Sequence, residues 1–272
     1  MANPAELIAH VKDAEEFHLP LGVRWLVPQP FEALGIPFHM TKFMWLEVLA
    51  AVLMVLIFVP VARKIRTGAA PRGRLWNMFE VMLLFIRDQV ARPAIGHHDA
   101  DRFLPMLWNL FFFITLLNLF GLLPWAGSPT TALGATLALA AIAFAMVAGA
   151  GIGRFGVIGF LLNQIPHMEV PLVIGIFLKP MLFVIELGGL LVKHFVLAMR
   201  LFANMFGWHL VLAVVLGFIA ETAASLMWYG VAPISIFGAV ALSLLEFGIA
   251  FLQAYIFTFL TALFIGMAVH QH

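Results

Sequence analysis

The sequence predicts an all-α integral membrane protein with about five membrane helices. The last two are expected to be long, strongly tilted and paired as a hairpin, with an amphipathic surface helix after the first span. Composition is the first reason. Of 272 residues, 63% are hydrophobic and 11% charged, whereas a soluble domain carries roughly 25% charged residues. Recurring apolar runs are the second, because about 20 residues suffice to cross about 30 Å of hydrocarbon. The third is a run from Pro171 to Ile219 that is almost continuously apolar. As one helix it would extend about 74 Å, too long to stand upright.

The elements follow in order. Residues 1–42 form an extracytoplasmic segment in which Leu7, Ile8, Val11 and Ala14 share a face, as in a short surface helix. This start carries more acid than base and has no apolar core, so it resembles neither a secretory signal nor a transit peptide. "MWLEVLAAVLMVLIFVPVA", within 43–62, is the first membrane helix. Residues 63–102 then hold more than half of the 15 Lys and Arg, and basic loops stay cytoplasmic. Inside this loop Leu75, Met78, Phe79, Met82, Leu83 and Ile86 recur at helical spacing, which predicts a helix lying on the membrane. Residues 103–153 form a helix pair joined outside by "AGSPT", and 154–170 a cytoplasmic connection opened by Arg154. The hairpin occupies 171–272, either broken near Pro180 or Gly188–Gly189 or steeply inclined.

Several functions are excluded at once. A net charge of +1 and a pI near 8.2 do not fit a nucleic-acid partner. Without cysteine there is no disulfide, thiolate nucleophile or thiolate metal site. "GHHDADR" at 96–102 looks superficially like metal ligands. It sits in a loop, two of its candidates are adjacent, and no helical His-x-x-x-His pattern supports it, so no metal and no cofactor are expected. Neither a protease nucleophile with its base nor a phosphate-cradling glycine loop is present. No internal repeat is evident, against an inverted-repeat transporter.

The charges inside the last two apolar segments carry the chemistry. Glu186, Lys193 and Arg200 fall at seven-residue steps, on one helix face. Asn204 and Gly207 continue that stripe, the glycine permitting close approach of another backbone. His209 lies on the opposite side of the helix from Arg200. In the final segment Ser243, Glu246 and Gln253 share a second polar face. Bland readings compete with each assignment. Arg200 could snorkel, but apolar residues flank it on both sides and intramembrane charges are costly. Lys193 could reach headgroups, His209 with Glu246 could be a structural ion pair, and Gln253 could be interhelical glue.

"RLFANMFGWH" followed by "LEFGIAFLQAYIFTFLTALFIGMAVHQH" resembles the C-terminal half of the membrane a subunit of F-type rotary ATP synthases. The likeness extends more diffusely through "NLFGLLP" and "PFHMTKFMWLEVL", so it covers most of the chain. It implies that Arg200 is the family's essential arginine, Asn204 its motif asparagine and Gln253 its downstream glutamine. The family's polar pair falls on His209 and Glu246, an order that some members reverse. Two departures stand out: bulky Trp208 occupies a position that is usually small, and Gly121 one that is often polar. That leaves Asn118 as the channel's polar group in the second span.

The resemblance implies a proton-conducting stator in the bacterial inner membrane. Its partners would be a ring of c subunits bearing carboxylates, peripheral-stalk b subunits, the remaining synthase subunits and membrane lipid, with nucleotide chemistry elsewhere. Guanidinium stays charged when desolvated and favours ionised carboxylates, so ring sites would release protons at Arg200. Its charge would also separate two half-channels. The outer one is expected along His209, Glu246 and Asn118, and the cytoplasmic one along Glu186, with Lys193 and Glu169 as further members; Gln253 is expected to face and orient Arg200. Sodium transport on the same fold, a secondary transporter binding an anionic solute at Arg200, and an intramembrane enzyme are the competing readings.

Overall fold

A computed structural model describes residues 13, 16–18, 24–29, 39–66, 73–123, 126–163 and 172–270. The expected surface helix around Leu7 to Ala14, Arg72 of the basic loop and Glu169 lie outside these residues. Two three-residue strands, β1 (Glu16–His18) and β2 (Arg24–Leu26), pair antiparallel. They are a small departure from the all-α expectation. The rest is helical: α1 (Lys42–Arg66), α2 (Arg74–Phe85), a π-helical stretch Ile86–Ala91, and α3 (Arg92–Ile95). Then come α4 (Ala100–Phe120), a 3-10 turn Pro129–Thr131, α5 (Leu133–Asn163), α6 (Leu172–Thr222) and α7 (Trp228–Val269).

Among the described residues five helices are long and apolar enough to cross a membrane: α1, α4, α5, α6 and α7. The structure chooses between the two sequence alternatives for the hairpin. Helix α6 runs through Pro180, Gly188 and Gly189 without interruption for 51 residues, and α7 for 42. At 1.5 Å per residue these are about 77 and 63 Å long, so neither can stand upright with its apolar surface covered.

The chain divides into two compact units. One comprises Met1–Ala70, Phe112–Thr136 and Leu201–Ala254. Here the Gln29 side chain grips the backbone of Met40, donating to its carbonyl at 2.9 Å and accepting its N–H at 2.8 Å. The Trp45 indole donates to the Pro28 carbonyl at 3.0 Å, so the 27–29 segment after β2 is sewn to the head of α1. Farther along α1, Phe58 packs on Phe112, with ring centroids 4.6 Å apart.

The other unit comprises Pro71–Phe111, Leu137–Arg200 and Tyr255–His272. Its α2 has the predicted amphipathic face: Phe79, Met82 and Leu83 are half-buried and Ile86 is fully buried. Met78 departs from that face and is exposed. Trp108 holds this helix by donating to the Leu83 carbonyl at 3.0 Å. Helix α5 outlasts its predicted end at 153 and then kinks at Gly156, whose φ of 73° only glycine adopts readily. The end of α7 is clasped from two sides. His270 Nε2–H donates to the Ile95 carbonyl at 2.9 Å, and the Asn163 amide donates to the His270 carbonyl at 3.3 Å. Gly266 lies against the Ala94 carbonyl so closely that a Cβ would collide with it.

Candidate functional site

Helix periodicity places His209 of α6 and Glu246 of α7 on facing sides within the first unit. His209 Nδ1 lies 2.8 Å from the Met205 carbonyl, one turn back. A carbonyl only accepts, so Nδ1 carries a proton and Nε2 is the nitrogen left to exchange one. Glu246 Oε1 stands 3.9 Å from that same Nδ1, too far for a hydrogen bond. The Glu246 residue is only 5% exposed, and Oε1 has no hydrogen-bond partner among the described residues. Leaving a buried carboxylate oxygen unsatisfied costs about 1–3 kcal/mol or more. Such a cost marks a group kept for something other than stability.

A cavity of about 570 Å³ opens beside this pair, walled by Gly121, His209, Ser243 and Glu246 together with Leu212 and Leu216. Gly121 matters to its shape. A Cβ there would stand 3.2 Å from His209 Cε1, 3.0 Å from the Asn118 carbonyl oxygen and 2.9 Å from Ser128 Cβ. The imidazole therefore occupies the space a side chain at 121 would need.

Asn118 is fully buried and committed at both ends. Its amide donates to the Ala250 carbonyl of α7 at 3.3 Å, and its carbonyl accepts from the Thr130 hydroxyl at 2.9 Å. Thr130 in turn lies 2.6 Å from the Ser128 hydroxyl, which reaches the Leu117 carbonyl at 3.0 Å. Three contacts thus share two hydroxyl protons. Sequence reading missed this network because "AGSPT" looks like a solvated turn. Ser128 and Thr130 are instead fully buried, their hydroxyls satisfied by the end of α4.

About two turns farther along α7 than Glu246, Gln253 is 1% exposed. Its Oε1 accepts from the Asn204 amide at 2.6 Å, while its Nε2 has no partner among the described residues. Thus the Asn204 and Gln253 motif positions do meet across the hairpin. Gly207 borders open space rather than a neighbouring backbone.

The second unit holds the remaining sequence candidates. Arg200 is exposed on α6 and has no ion pair or hydrogen bond among the described residues. Phe195, Val196 and Ala203 around it are exposed as well, whereas Leu197 and Ala198 are buried. Lys193 Nζ reaches Glu186 Oε1 at 3.9 Å and lies 6.0 Å from the Phe264 ring centroid, so the two charged candidates pair with each other. His194, which sequence reasoning passed over, is buried between Phe144 and Phe264, its ring centroid 5.3 and 5.1 Å from theirs. Of the loop at 96–102, Asp99 pairs with Arg154 at 3.7 Å and Asp101 with Arg92 at 4.0 Å.

These features define a class: a multi-pass membrane protein with ionisable groups set around a cavity at its last two helices, and a bare guanidinium on an apolar helix flank. A family model described as ATP synthase A chain matches residues 43–266. Curated relatives described as ATP synthase subunit a agree over nearly the whole chain. That of Myxococcus xanthus (strain DK1622) is 36% identical over 279 residues, covering 97% of this chain and 88% of its own length. The Chloroherpeton thalassium (strain ATCC 35110 / GB-78) protein is 38% identical over 270 residues, covering 97% and 76%. The Rhodococcus erythropolis (strain PR4 / NBRC 100887) protein is 32% identical over 262 residues, covering 94% and 92%. The chain belongs to the ATP synthase A chain family, the subunit a family of F-type ATP synthase.

Proposed function

We propose that this chain is the proton-translocating stator subunit of an F-type ATP synthase, assembled with the other synthase subunits in a bacterial inner membrane. The observation that carries the reading is Arg200, an exposed cation with no ion pair or hydrogen bond among the described residues and with exposed Phe195, Val196 and Ala203 beside it. A guanidinium at mid-membrane costs at least about 2.5–3.5 kcal/mol. Such a cost is offset when another chain brings a carboxylate to it, and a rotating ring of c subunits supplies one carboxylate after another. Each loses its proton on meeting a cation that cannot itself deprotonate.

The residues take the following roles in this reading. Protons enter from outside through the cavity, passing between water and His209 Nε2, with Glu246 Oε1 as the second exchanging group. Gly121 shapes the wall and lets the imidazole in. Asn118 braces α4 against α7 at the inner end of that path. Gln253 orients Arg200, and Asn204 holds Gln253. Glu186 and Lys193 border the cytoplasmic exit. The basic connection after α1 is cytoplasmic, the start of the chain is outside, and the long hairpin 171–272 carries the path. Peripheral-stalk b subunits hold the chain against the ring, and nucleotide chemistry stays on other chains.

ATP-driven acidification of membrane vesicles tests this, comparing wild type with Arg200→Ala at matched complex content. Pumping should be lost, and removal of the ATPase head should reveal a passive proton leak. Unchanged pumping overturns the assignment.

A further inference from the structure

A second cavity, of about 400 Å³, lies in the other unit, where the kinked end of α5 meets the start of α6. Its walls are Ile158, Leu161, Leu162, Pro180 and Phe183, and the single charged group among them is Lys179. The stretch of α5 from Leu133 to Arg154 would extend about 33 Å, close to the hydrocarbon thickness. The groove begins just past Arg154, and so falls at the depth where a bilayer changes from acyl chains to headgroups. Arg154 is already engaged with Asp99 at 3.7 Å. Among the described residues Lys179 has no ion pair and no acidic side chain lines the groove, and Lys179 is exposed. The surrounding surface is apolar, with Ile158, Leu162, Phe177 and Val184 all largely exposed.

We propose that this groove is a binding site for an anionic phospholipid, its phosphate on Lys179 and an acyl chain along Ile158, Leu161, Leu162 and Phe183. An acyl chain covers the apolar walls, and the phosphate supplies an anion that Lys179 does not find among the described residues. Basic pockets between membrane helices suit anionic headgroups, each lysine contributing about 1 kcal/mol, or roughly fivefold in occupancy. A zwitterionic lipid would fill the same walls without that gain. The inference rests on the membrane spans and the groove alone, and stands apart from the proton path.

The test uses the intact synthase complex in phosphatidylcholine vesicles doped with photoreactive phosphatidylglycerol or, in parallel, photoreactive phosphatidylcholine with the same acyl chains. Labelled peptides are mapped by mass spectrometry. The phosphatidylglycerol probe should mark 157–163 and 180–184 and be displaced by unlabelled phosphatidylglycerol. Lys179→Gln should lower that labelling about fivefold, with Lys179→Arg restoring it and the phosphatidylcholine probe insensitive to both. Equal labelling by the two probes, labelling unaffected by Lys179→Gln, or a neighbouring subunit cross-linked in the groove would overturn the proposal.

Discussion

The two units differ in where their unpartnered buried groups lie. In the Leu201–Ala254 unit, Glu246 Oε1 and Gln253 Nε2 are buried without partners among the described residues, one beside a cavity and the other on the same face of α7. In the other unit the loop polar groups close on one another. Asp88 accepts from Arg87 at 3.0 Å and from Arg92 at 2.8 Å, and His270 and Asn163 fasten the end of α7. Satisfied groups stabilise a geometry, whereas unsatisfied ones beside a cavity are available for exchange. The second unit also has buried atoms without a partner among the described residues, Arg92 Nε, His194 Nε2 and Thr258 Oγ1, but none of the three lines that unit's cavity, and we have no physical account of them.

Substitutions can break this contrast. Glu246→Ala should lower proton pumping per assembled complex at least about a hundredfold, the scale of a lost proton-transfer group, with assembly near normal. Pumping at wild-type rate would make the orphan oxygen a mere packing defect. Gly266→Leu should do the reverse. Its side chain must displace the Ala94 backbone, an overpacking cost of about 1–3 kcal/mol or more. Immunoblots of membranes should therefore show less assembled complex, while the complex that forms pumps normally.

A finer test concerns the link between the arginine and the Asn204–Gln253 pair. Arg200→Gln combined with Gln253→Arg should pump measurably more than Arg200→Gln alone, because the charge is restored on the opposite helix. No gain in vesicle acidification would separate Gln253 from the arginine. Asn204→Ala alone should have a smaller effect, about threefold, as expected for one neutral hydrogen bond of about 0.5–1.5 kcal/mol.

The smallest expected effect is on pH dependence in the second unit. The Arg87 hydrogen bond, helped by its charge and that of Arg92, holds the Asp88 carboxyl below its usual range. A depressed folded pKa stabilises the fold above the unfolded carboxylate range and loses that contribution as pH falls through the folded value. Amide hydrogen exchange over 86–95 should therefore stay protected through mild acid and rise only below the ordinary carboxylate range. In Asp88→Asn that step should vanish, and an unchanged acid step would assign it to another group.

Much of the fold was legible because hydrophobic length and helical periodicity act locally. Arg200, Glu246 and Gln253 stood out by their cost in an apolar run, before any neighbour was known. The buried turn at Ser128–Thr131, the engagement of Asn118 with Ala250 and the pairing of Lys193 with Glu186 were not legible in the same way. Each depends on which groups meet in space.

By itself, then, the sequence determined a helical membrane protein, the long apolar segments and the few polar positions they carry, because water and lipid partition each residue independently. Only the tertiary structure decided that α6 runs unbroken through Pro180. Likewise, only packing revealed that Gly121 admits the His209 ring and that Glu246 Oε1 has no hydrogen-bond partner among the described residues. Gly121 and Glu246 meet His209 from far away in the chain, and packing distances of that kind are encoded by no local propensity.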